Sequence, residues 1–293
     1  MNRKLMTTTA AVTLLIGLGG CDADRPAPSP TAIPTAIPTT STKPSAVLTA
    51  PTFRLGPMPV TPTWQPPGED GRPSFSDSSW FIRYRTAGLE LTVQHGEPRF
   101  GDMQPQSEHM PVQMLGLEGY RSTGSLGESP AHTLYVVTTP DGLSVIVAGY
   151  NADIVRRFAE GLRRAPMPMR VPFELALLPE RFAPSKVTSY SMQFVATPEP
   201  ADPNAPIRYV GVTLWKSYEF ERPANAIVTT VNGNVTEVVL DRFQAYIRVM
   251  LPGGQVLIVD ASAEVGLDQQ DLERLAAGVT ITEHATAWTN QVS

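Results

Sequence analysis

The sequence predicts an α+β fold: two tandem units, each an antiparallel β-sheet followed by one covering C-terminal helix, preceded by a disordered linker. Three observations predict it. A Pro-, Thr- and Ser-rich segment follows the amino terminus, turn motifs recur roughly 115 residues apart, and each half ends in an amphipathic helix pattern. Strand runs that are followed by a helix, rather than alternating with helices, are typical of this class.

The composition sets the limits on function. The chain has 293 residues, enough for two domains of ordinary size, and 17% of them are charged. Its net charge of −5 argues against a broad cationic surface. Nucleic acid is therefore excluded as a partner, because binding to phosphates needs such a surface.

Residues 1–20 have the pattern of a signal peptide. Arg3 and Lys4 provide positive charge, and the apolar stretch from Thr7 to Leu18 is too short to cross a bilayer as a helix. The next residues complete the motif Leu18-Gly19-Gly20-Cys21, and Cys21 is the only cysteine. An ordinary signal peptide with a chance cysteine is the alternative.

This motif resembles the lipobox of bacterial lipoproteins. The resemblance implies that the Cys21 thiol carries diacylglycerol and that the signal is cut before this residue. The protein would then be held outside the cell by a lipid in the membrane. Two or more acyl chains give stable anchoring, since one chain alone binds a bilayer only marginally.

Residues 21–52 form the predicted stalk. From Asp22 to Pro51 the chain is almost wholly Pro, Thr, Ser and Ala. Such a segment cannot bury enough apolar area to offset the entropy lost on ordering. Proline favours an extended chain of about 3.1 Å per residue, so the stalk could reach on the order of 90 Å.

The two units are predicted to span residues 53–169 and 170–288, with a tail at 289–293. Gly119 has a counterpart in Gly233, and the turn Pro140-Asp141-Gly142 has one in Pro252-Gly253-Gly254. An apolar run follows each of these two proline turns. Chance matching of Gly and Pro turns is the alternative explanation.

Strands are predicted where apolar and polar residues alternate. The predicted strands are Trp80–Tyr84, Leu89–Val93, Tyr190–Phe194 and Tyr209–Trp215. Asn232-Gly233 is the strongest hairpin signal, because both residues tolerate positive φ. We expect a further hairpin loop, enlarged by prolines, between Thr197 and Pro206.

One helix is predicted at the end of each unit. Asn151 is the expected N-cap of the first helix and Asp268 of the second, because their side chains can accept hydrogen bonds from the first turn. An apolar stripe at helical spacing follows each cap, with Phe158 in the first helix and Leu272 in the second.

The second unit also resembles a known family. Asn232-Gly233, Pro252-Gly253-Gly254 and the segment Leu178–Pro184 are similar to a small extracytoplasmic domain of unknown function. This domain occurs in lipoproteins and anti-sigma-factor ectodomains of actinobacteria and related bacteria. The resemblance implies an envelope-exposed, non-catalytic module, and it gives no ligand, cofactor or catalytic residue.

Residues that could carry chemistry are few. His95, His109, His132 and His284 lack the spacing of a metal site, and no nucleophile or phosphate-binding motif is present. Glu219 and Glu221 could share one face of a strand and act as an acid and a base, but a solvated face explains them equally well. We therefore predict no catalytic, cofactor-binding or metal-binding residue.

The leading functional hypothesis is a lipid-anchored envelope protein that presents two non-catalytic modules for binding or sensing. Its partner would be a protein or an envelope polymer, and exposed edge strands are the candidate contacts. A carrier for a hydrophobic ligand is the first alternative, and it requires an apolar pocket between sheet and helix. An envelope hydrolase that uses Glu219, Glu221 or His132 is the second.

Overall fold

The computed structural model describes residues 46–69, 71–100, 104–105, 108–125, 131–197, 205–216 and 221–285. All of them belong to one unit, Thr42–Ser293. The predicted signal peptide, most of the stalk and the tail lie outside these residues. So do Leu18, Gly19, Gly20 and Cys21, so their predicted roles stay predictions.

The described residues are mostly β, with 48% of them in strands and 11% in helices. Fifteen strands form one continuous antiparallel sheet. The predicted fold class, two tandem α+β units that are each an antiparallel sheet followed by one covering helix, is therefore wrong. The sequence leaves open whether the two predicted units share a sheet, and backbone hydrogen bonds join their strands into a single one.

The first half of the chain contains eleven strands and one helix. Their bounds are β1 Leu48–Thr49, β2 Thr61–Pro62, β3 Ser74–Ser76, β4 Ser79–Tyr84, β5 Leu89–His95, β6 Gln104–Pro105, β7 Met110–Met114, β8 Leu117–Ser125, β9 His132–Thr138, β10 Leu143–Gly149, α1 Ala152–Glu160 and β11 Leu162–Arg163.

The second half contains ten strands, one helix and a 3₁₀ turn at Ala263–Val265. The bounds are β12 Phe173–Leu175, β13 Leu178–Pro179, β14 Phe182–Val187, β15 Ser191–Ala196, β16 Tyr209–Trp215, β17 Ile227–Val231, β18 Asn234–Leu240, β19 Gln244–Met250, β20 Val256–Ser262, α2 Gln269–Ala277 and β21 Val279–Ile281.

The order of the large sheet is β17-β18-β19-β20-β16-β15-β14-β3-β4-β5-β10-β9-β8, after which β6 and β7 both pair with β8. The ladder between β14 and β3 is short: only Lys186 pairs with Ser76, and Val187 with Phe75. We call this ladder the seam. One further backbone bond, from Asp77 N to Ser185 O at 3.0 Å, lies beside it.

Both helices begin where the sequence predicts. The Asn151 side chain accepts hydrogen bonds from the backbone N–H groups of Asp153 and Ile154, which caps α1. Asp268 and Asp271 form a reciprocal capping box at the start of α2. Such caps satisfy N–H groups that have no partner within the helix.

The core consists of two large apolar clusters on the same face of the sheet. One surrounds Phe158 of α1 and the other surrounds Leu272 of α2, and both side chains are fully buried. Across the seam, Phe75 packs against the second cluster, and its ring lies 5.7 Å from that of Trp80 beside the first. The opposite face of the sheet carries most of the polar pairs described below.

The predicted strands are confirmed, and so are the turns at Asn232-Gly233, Pro140–Gly142 and Pro252–Gly254. The match of Gly119 to Gly233 is wrong, because Gly119 lies within β8 and Gly116 occupies the preceding turn. The predicted strand Tyr209–Trp215 is β16 at the predicted bounds, and Asn232-Gly233 joins β17 to β18. Pro140-Asp141-Gly142 joins β9 to β10, and Pro252-Gly253-Gly254 joins β19 to β20. The predicted loop after Thr197 connects β15 to β16, and residues 198–204 of it lie outside the described residues.

Candidate functional site

Strand β17 forms one edge of the large sheet. Within the described residues it pairs with β18 alone. Its sequence, Ile-Val-Thr-Thr-Val, contains no charge and no proline, and Ile227 and Val228 are 44% and 51% exposed. Natural sheets usually protect an edge with charged side chains or proline. We call β17, together with the neighbouring exposed Val235, the open edge.

A tight hairpin holds the open edge in place. Asn232 and Gly233 both have positive φ, 50° and 78°, as a two-residue hairpin turn requires. The Asn232 side-chain amide donates to the backbone oxygen of Ala277 at 3.2 Å, which ties the turn to the last residue of α2. The far end of β17 is thus fixed to the helix.

A buried carboxylate lies beneath the open edge. Glu237 pairs with Val228 in the ladder, and its side chain is 5% exposed. Arg222 Nε donates to Glu237 Oε1 at 2.7 Å, and Arg248 Nη1 lies 3.7 Å from Oε2. Two guanidinium groups therefore compensate one buried negative charge.

The same arginines hold the segment that leads into β17. Residues 221–226 lie outside any strand, and we call them the strap. Arg222 of the strap reaches Glu237, while Arg248 donates to the backbone oxygen of Glu221 at 3.3 Å. Side-chain contacts therefore hold the segment before β17 as well as the turn after it.

The opposite edge of the sheet is closed in a different way. Strands β6 and β7 pair with successive stretches of β8, β6 with Gly124 and Ser125 and β7 with Leu117–Arg121. Each contains a proline, Pro105 in β6 and Pro111 in β7. Proline has no N–H to donate and is typical of edge strands. Met110 is 53% exposed on this edge, so the two edges differ in hydrogen-bonding capacity more than in exposed apolar area.

A second carboxylate lies on the polar face of the sheet. Asp260 lies opposite Gly211, where a Cβ would come within 2.4 Å of the Asp260 carboxylate, so only glycine leaves it room. Burial raises the pKa of Asp260, and a hydrogen bond from the Tyr209 hydroxyl lowers it in part. Burial is also the largest cause that raises the pKa of Tyr209, followed by the Asp260 charge.

The raised pKa predicts how Asp260→Asn changes stability with pH. Because the folded pKa lies above the unfolded value of 3.8, the carboxylate destabilises the fold once it ionises. The free energy of unfolding of the variant, relative to the natural protein, should therefore rise as the pH passes from about 3.8 through the folded pKa, and then level off. Urea unfolding at a series of pH values measures this.

Asp241→Asn is the matched control, with the opposite sign. The pKa of Asp241 is lowered by hydrogen bonds from the backbone N–H groups of Gln244 and Phe243. In the natural protein this carboxylate therefore raises the free energy of unfolding above pH 3.8. That contribution is lost as the pH falls through the folded pKa. If the free energy of unfolding changed with pH in the same way for Asp260→Asn and Asp241→Asn, the opposite pKa directions given for the two groups would be contradicted.

The histidines and glutamates singled out in the sequence do not come together as a site. His109 stacks on Tyr120 with ring centres 4.2 Å apart, and His132, at the start of β9, lies 4.2 Å from Tyr150. Glu221 lies in the strap and not on a strand, and Glu219 falls outside the described residues. Among the described residues, no group of three His, Cys, Asp or Glu side chains could hold a metal ion.

The surface cavities formed by the described residues include three that charged side chains line in part. One of about 230 Å³ is lined by Arg83, Arg85, Glu90 and His132 together with Leu89, Ala148 and Tyr150. One of about 280 Å³ includes Asp77 and Arg99, and one of about 390 Å³ lies between Leu240 and the polar start of α2. None of these three is lined wholly by apolar side chains, as a pocket for a hydrophobic ligand predominantly is.

No helix among the described residues is both long and apolar enough to span a bilayer. The membrane contact predicted from the sequence depends wholly on Cys21, which is not among these residues.

Comparisons with known proteins identify no family. No family model matches the chain, and no curated protein matches it. Two solved complexes of MucB with MucA, one from Pseudomonas aeruginosa, are 10% identical to it with a TM-score of 0.19. They cover 69% and 71% of this chain and 82% and 91% of theirs. DynU16, from the dynemicin biosynthetic locus, is 13% identical with a TM-score of 0.12, covering 73% of this chain and 81% of its own. Likenesses at this level carry no argument about fold or function.

Proposed function

We propose that the protein is a lipid-anchored extracytoplasmic binding protein, and that it takes up an extended segment of a partner protein along the open edge. The observation that carries the proposal is β17 itself, an uncharged, proline-free strand with one side unpaired among the described residues. A peptide added as a further strand would hydrogen-bond to these free backbone groups.

Side chains around the open edge favour an alternating apolar partner. Val228 and Val235 share the polar face of the sheet and are about half exposed, while Ile227 is exposed on the helix face. An added strand presents successive side chains to opposite faces. Apolar residues of a bound peptide would therefore contact Val228 on one face and Ile227 on the other.

Pre-organisation supports the same role. The turn is bonded to α2 and the strap is bonded to Glu237 and Arg248, so both ends of β17 are fixed. A strand that is already ordered loses less conformational entropy when it binds. We therefore propose that β17 is ordered before binding and that the partner segment becomes ordered when it binds.

The membrane attachment remains part of the proposal. Residues 1–20 would be removed as the signal peptide, Cys21 would carry the lipid, and the predicted stalk would act as a tether only up to residue 45, because Leu48 and Thr49 pair with β13 in the folded body. The predicted boundaries at 53–169, 170–288 and 289–293 are untested. No cofactor is proposed.

The test places a photo-activated cross-linking residue at Val228 in one strain and at Met110 in another. Both positions are about half exposed, but they lie on opposite edges of the sheet. We expect a protein adduct from position 228 and none from 110, and we expect Ile227→Lys to remove it. Equal adducts at both positions, or none, would contradict the proposal.

Two further results of this experiment separate the alternatives. An adduct that contains envelope polymer and no protein would show that the partner is a polymer and not the proposed protein. An adduct with a second copy of the chain, together with dimers of the purified protein in sedimentation experiments, would show that two open edges pair with each other.

A further inference from the structure

Four exposed apolar side chains lie at one end of the sheet, away from the Asn232-Gly233 turn. They are Val47, Ile207, Leu240 and Phe243, which are 63%, 66%, 41% and 68% exposed. We call this group the apolar end. It is separate from the open edge, because it lies where strands end rather than along one strand.

Hydrogen bonds join the strand ends along this end of the sheet. The N–H of Ala263 donates to Phe243 O, that of Tyr209 to Ser262 Oγ, that of Ala196 to Arg208 O, that of Thr197 to Arg181 O, and that of Glu180 to Val47 O. Neighbouring strands lie about 4.8 Å apart, so the apolar end extends for roughly 25 Å. It is a line of side chains at the rim of the sheet.

Charges along this rim are mixed in sign. The basic residues are Arg181, Arg208 and Arg242, and the acidic residues are Glu180, Asp241, Glu264 and Asp268. The Arg242 guanidinium lies over the Phe243 ring at 4.5 Å, and Asp241 is engaged by two backbone N–H groups. The rim therefore offers apolar contact without net electrostatic attraction to an anionic surface.

The chain also enters the described unit at this end. The first described residue, Ala46, directly precedes Val47, and the predicted stalk and Cys21 lie before it. A lipid on Cys21 would therefore attach the folded body to the membrane at the end of the sheet that carries the exposed apolar side chains.

We propose that the apolar end rests on the interface of the phospholipid bilayer that holds the anchor, with Phe243 and Ile207 inserted below the headgroups. This inference uses the lipid anchor of the proposed function but not its partner. A few apolar side chains bind a bilayer weakly on their own. A tether converts weak contact into an intramolecular step at a high effective concentration.

The test uses the mature polypeptide with Cys21→Ser, which contains every described residue and no acyl chain. It is mixed with vesicles of phosphatidylcholine, alone or with phosphatidylglycerol, and bound protein is separated by flotation. We expect weak binding to both vesicles with little dependence on salt. Phe243→Ser should lower the partition coefficient about tenfold, since an aromatic side chain would no longer be inserted.

Val228→Ser is the matched control, because Val228 is exposed to a similar degree on the open edge. It should bind vesicles as the natural sequence does. A second measurement compares Phe243→Trp and Val228→Trp with the parent chain, which already has four tryptophans, in vesicles with brominated acyl chains. Quenching beyond that of the parent chain should occur for Phe243→Trp and not for Val228→Trp.

Other outcomes would overturn the inference. Absence of binding to either vesicle, binding that needs anionic lipid and disappears in salt, or equal losses from Phe243→Ser and Val228→Ser would each do so. Self-association that Phe243→Ser removes, without vesicle binding, would assign the apolar end to a second copy instead. None of these results bears on cross-linking at Val228, so the two proposals fail separately.

Discussion

Replacement of Cys21 by serine is expected to move the protein from the membrane fraction to the soluble extracytoplasmic fraction. A serine hydroxyl cannot take the diacylglycerol that a thiol accepts in lipoproteins. Each buried methylene contributes about 0.8 kcal/mol, so losing two or three acyl chains removes nearly all of the binding energy. Fractionation after carbonate washing, together with labelling by an alkyne fatty acid, measures the effect.

Asp22→Asn is the control for this experiment, because it changes the next residue and leaves the thiol in place. We expect this variant to stay in the membrane fraction and to incorporate the fatty acid. A Cys21→Ser protein that still sediments with membranes after carbonate treatment would remove the lipid anchor from the proposal. The weak contact proposed for the apolar end would not survive that treatment.

Arg248→Met is expected to lower the free energy of unfolding by about 3 kcal/mol. The substitution keeps an apolar stem over Tyr246 but leaves the Glu237 carboxylate, 5% exposed, with less compensation. Removing one partner of a buried ion pair commonly costs 3–5 kcal/mol, because the other charge stays buried. Urea unfolding at neutral pH gives the value.

Arg222→Met is its counterpart on the exposed side of the same carboxylate. The Arg222 side chain is 59% exposed, against 14% for Arg248, so its ion pair is screened by water. We expect a loss below about 1 kcal/mol. Equal losses for the two variants would show that burial does not decide the contribution of these pairs.

The elements of this fold could be predicted from local sequence. Asn232-Gly233 determines a hairpin because both residues accept positive φ, and Asn151 and Asp268 cap helices because their side chains accept hydrogen bonds from the first turn. Each of these signals acts within a few residues. Such predictions depend on neither the partner strand nor the rest of the sheet.

The joining of the sheet could not be predicted in this way. It depends on the pairing of Lys186 with Ser76 and of Val187 with Phe75, residues about 110 positions apart. Nothing in the alternation of apolar and polar residues near Phe75 identifies that partner. The sequence pattern therefore leaves open whether the two halves share a sheet, and the long-range pairing across the seam joins them into one.

The sequence predicts the type of contact, an exposed edge strand, but not which strand forms it. The sequence indicates edge strands as the contacts in such a protein, but the position of β17 at an edge follows from strand order, which is not local. Pro111 within an apolar run is typical of an edge strand, but it marks the opposite edge of the sheet. The ion pairs of Glu237 carry no such signal, because Arg222 and Arg248 reach it from separate segments.

The seam has a mechanical consequence. Two residue pairs join β14 to β3, whereas the neighbouring ladder between β4 and β5 has six. Tension that pulls the two outer strands of the sheet apart would concentrate on this short ladder, and rupture would begin there. A load between the tethered end and a partner bound at the open edge would not cross the seam, because Val47 and β17 both lie on the β14 side of it.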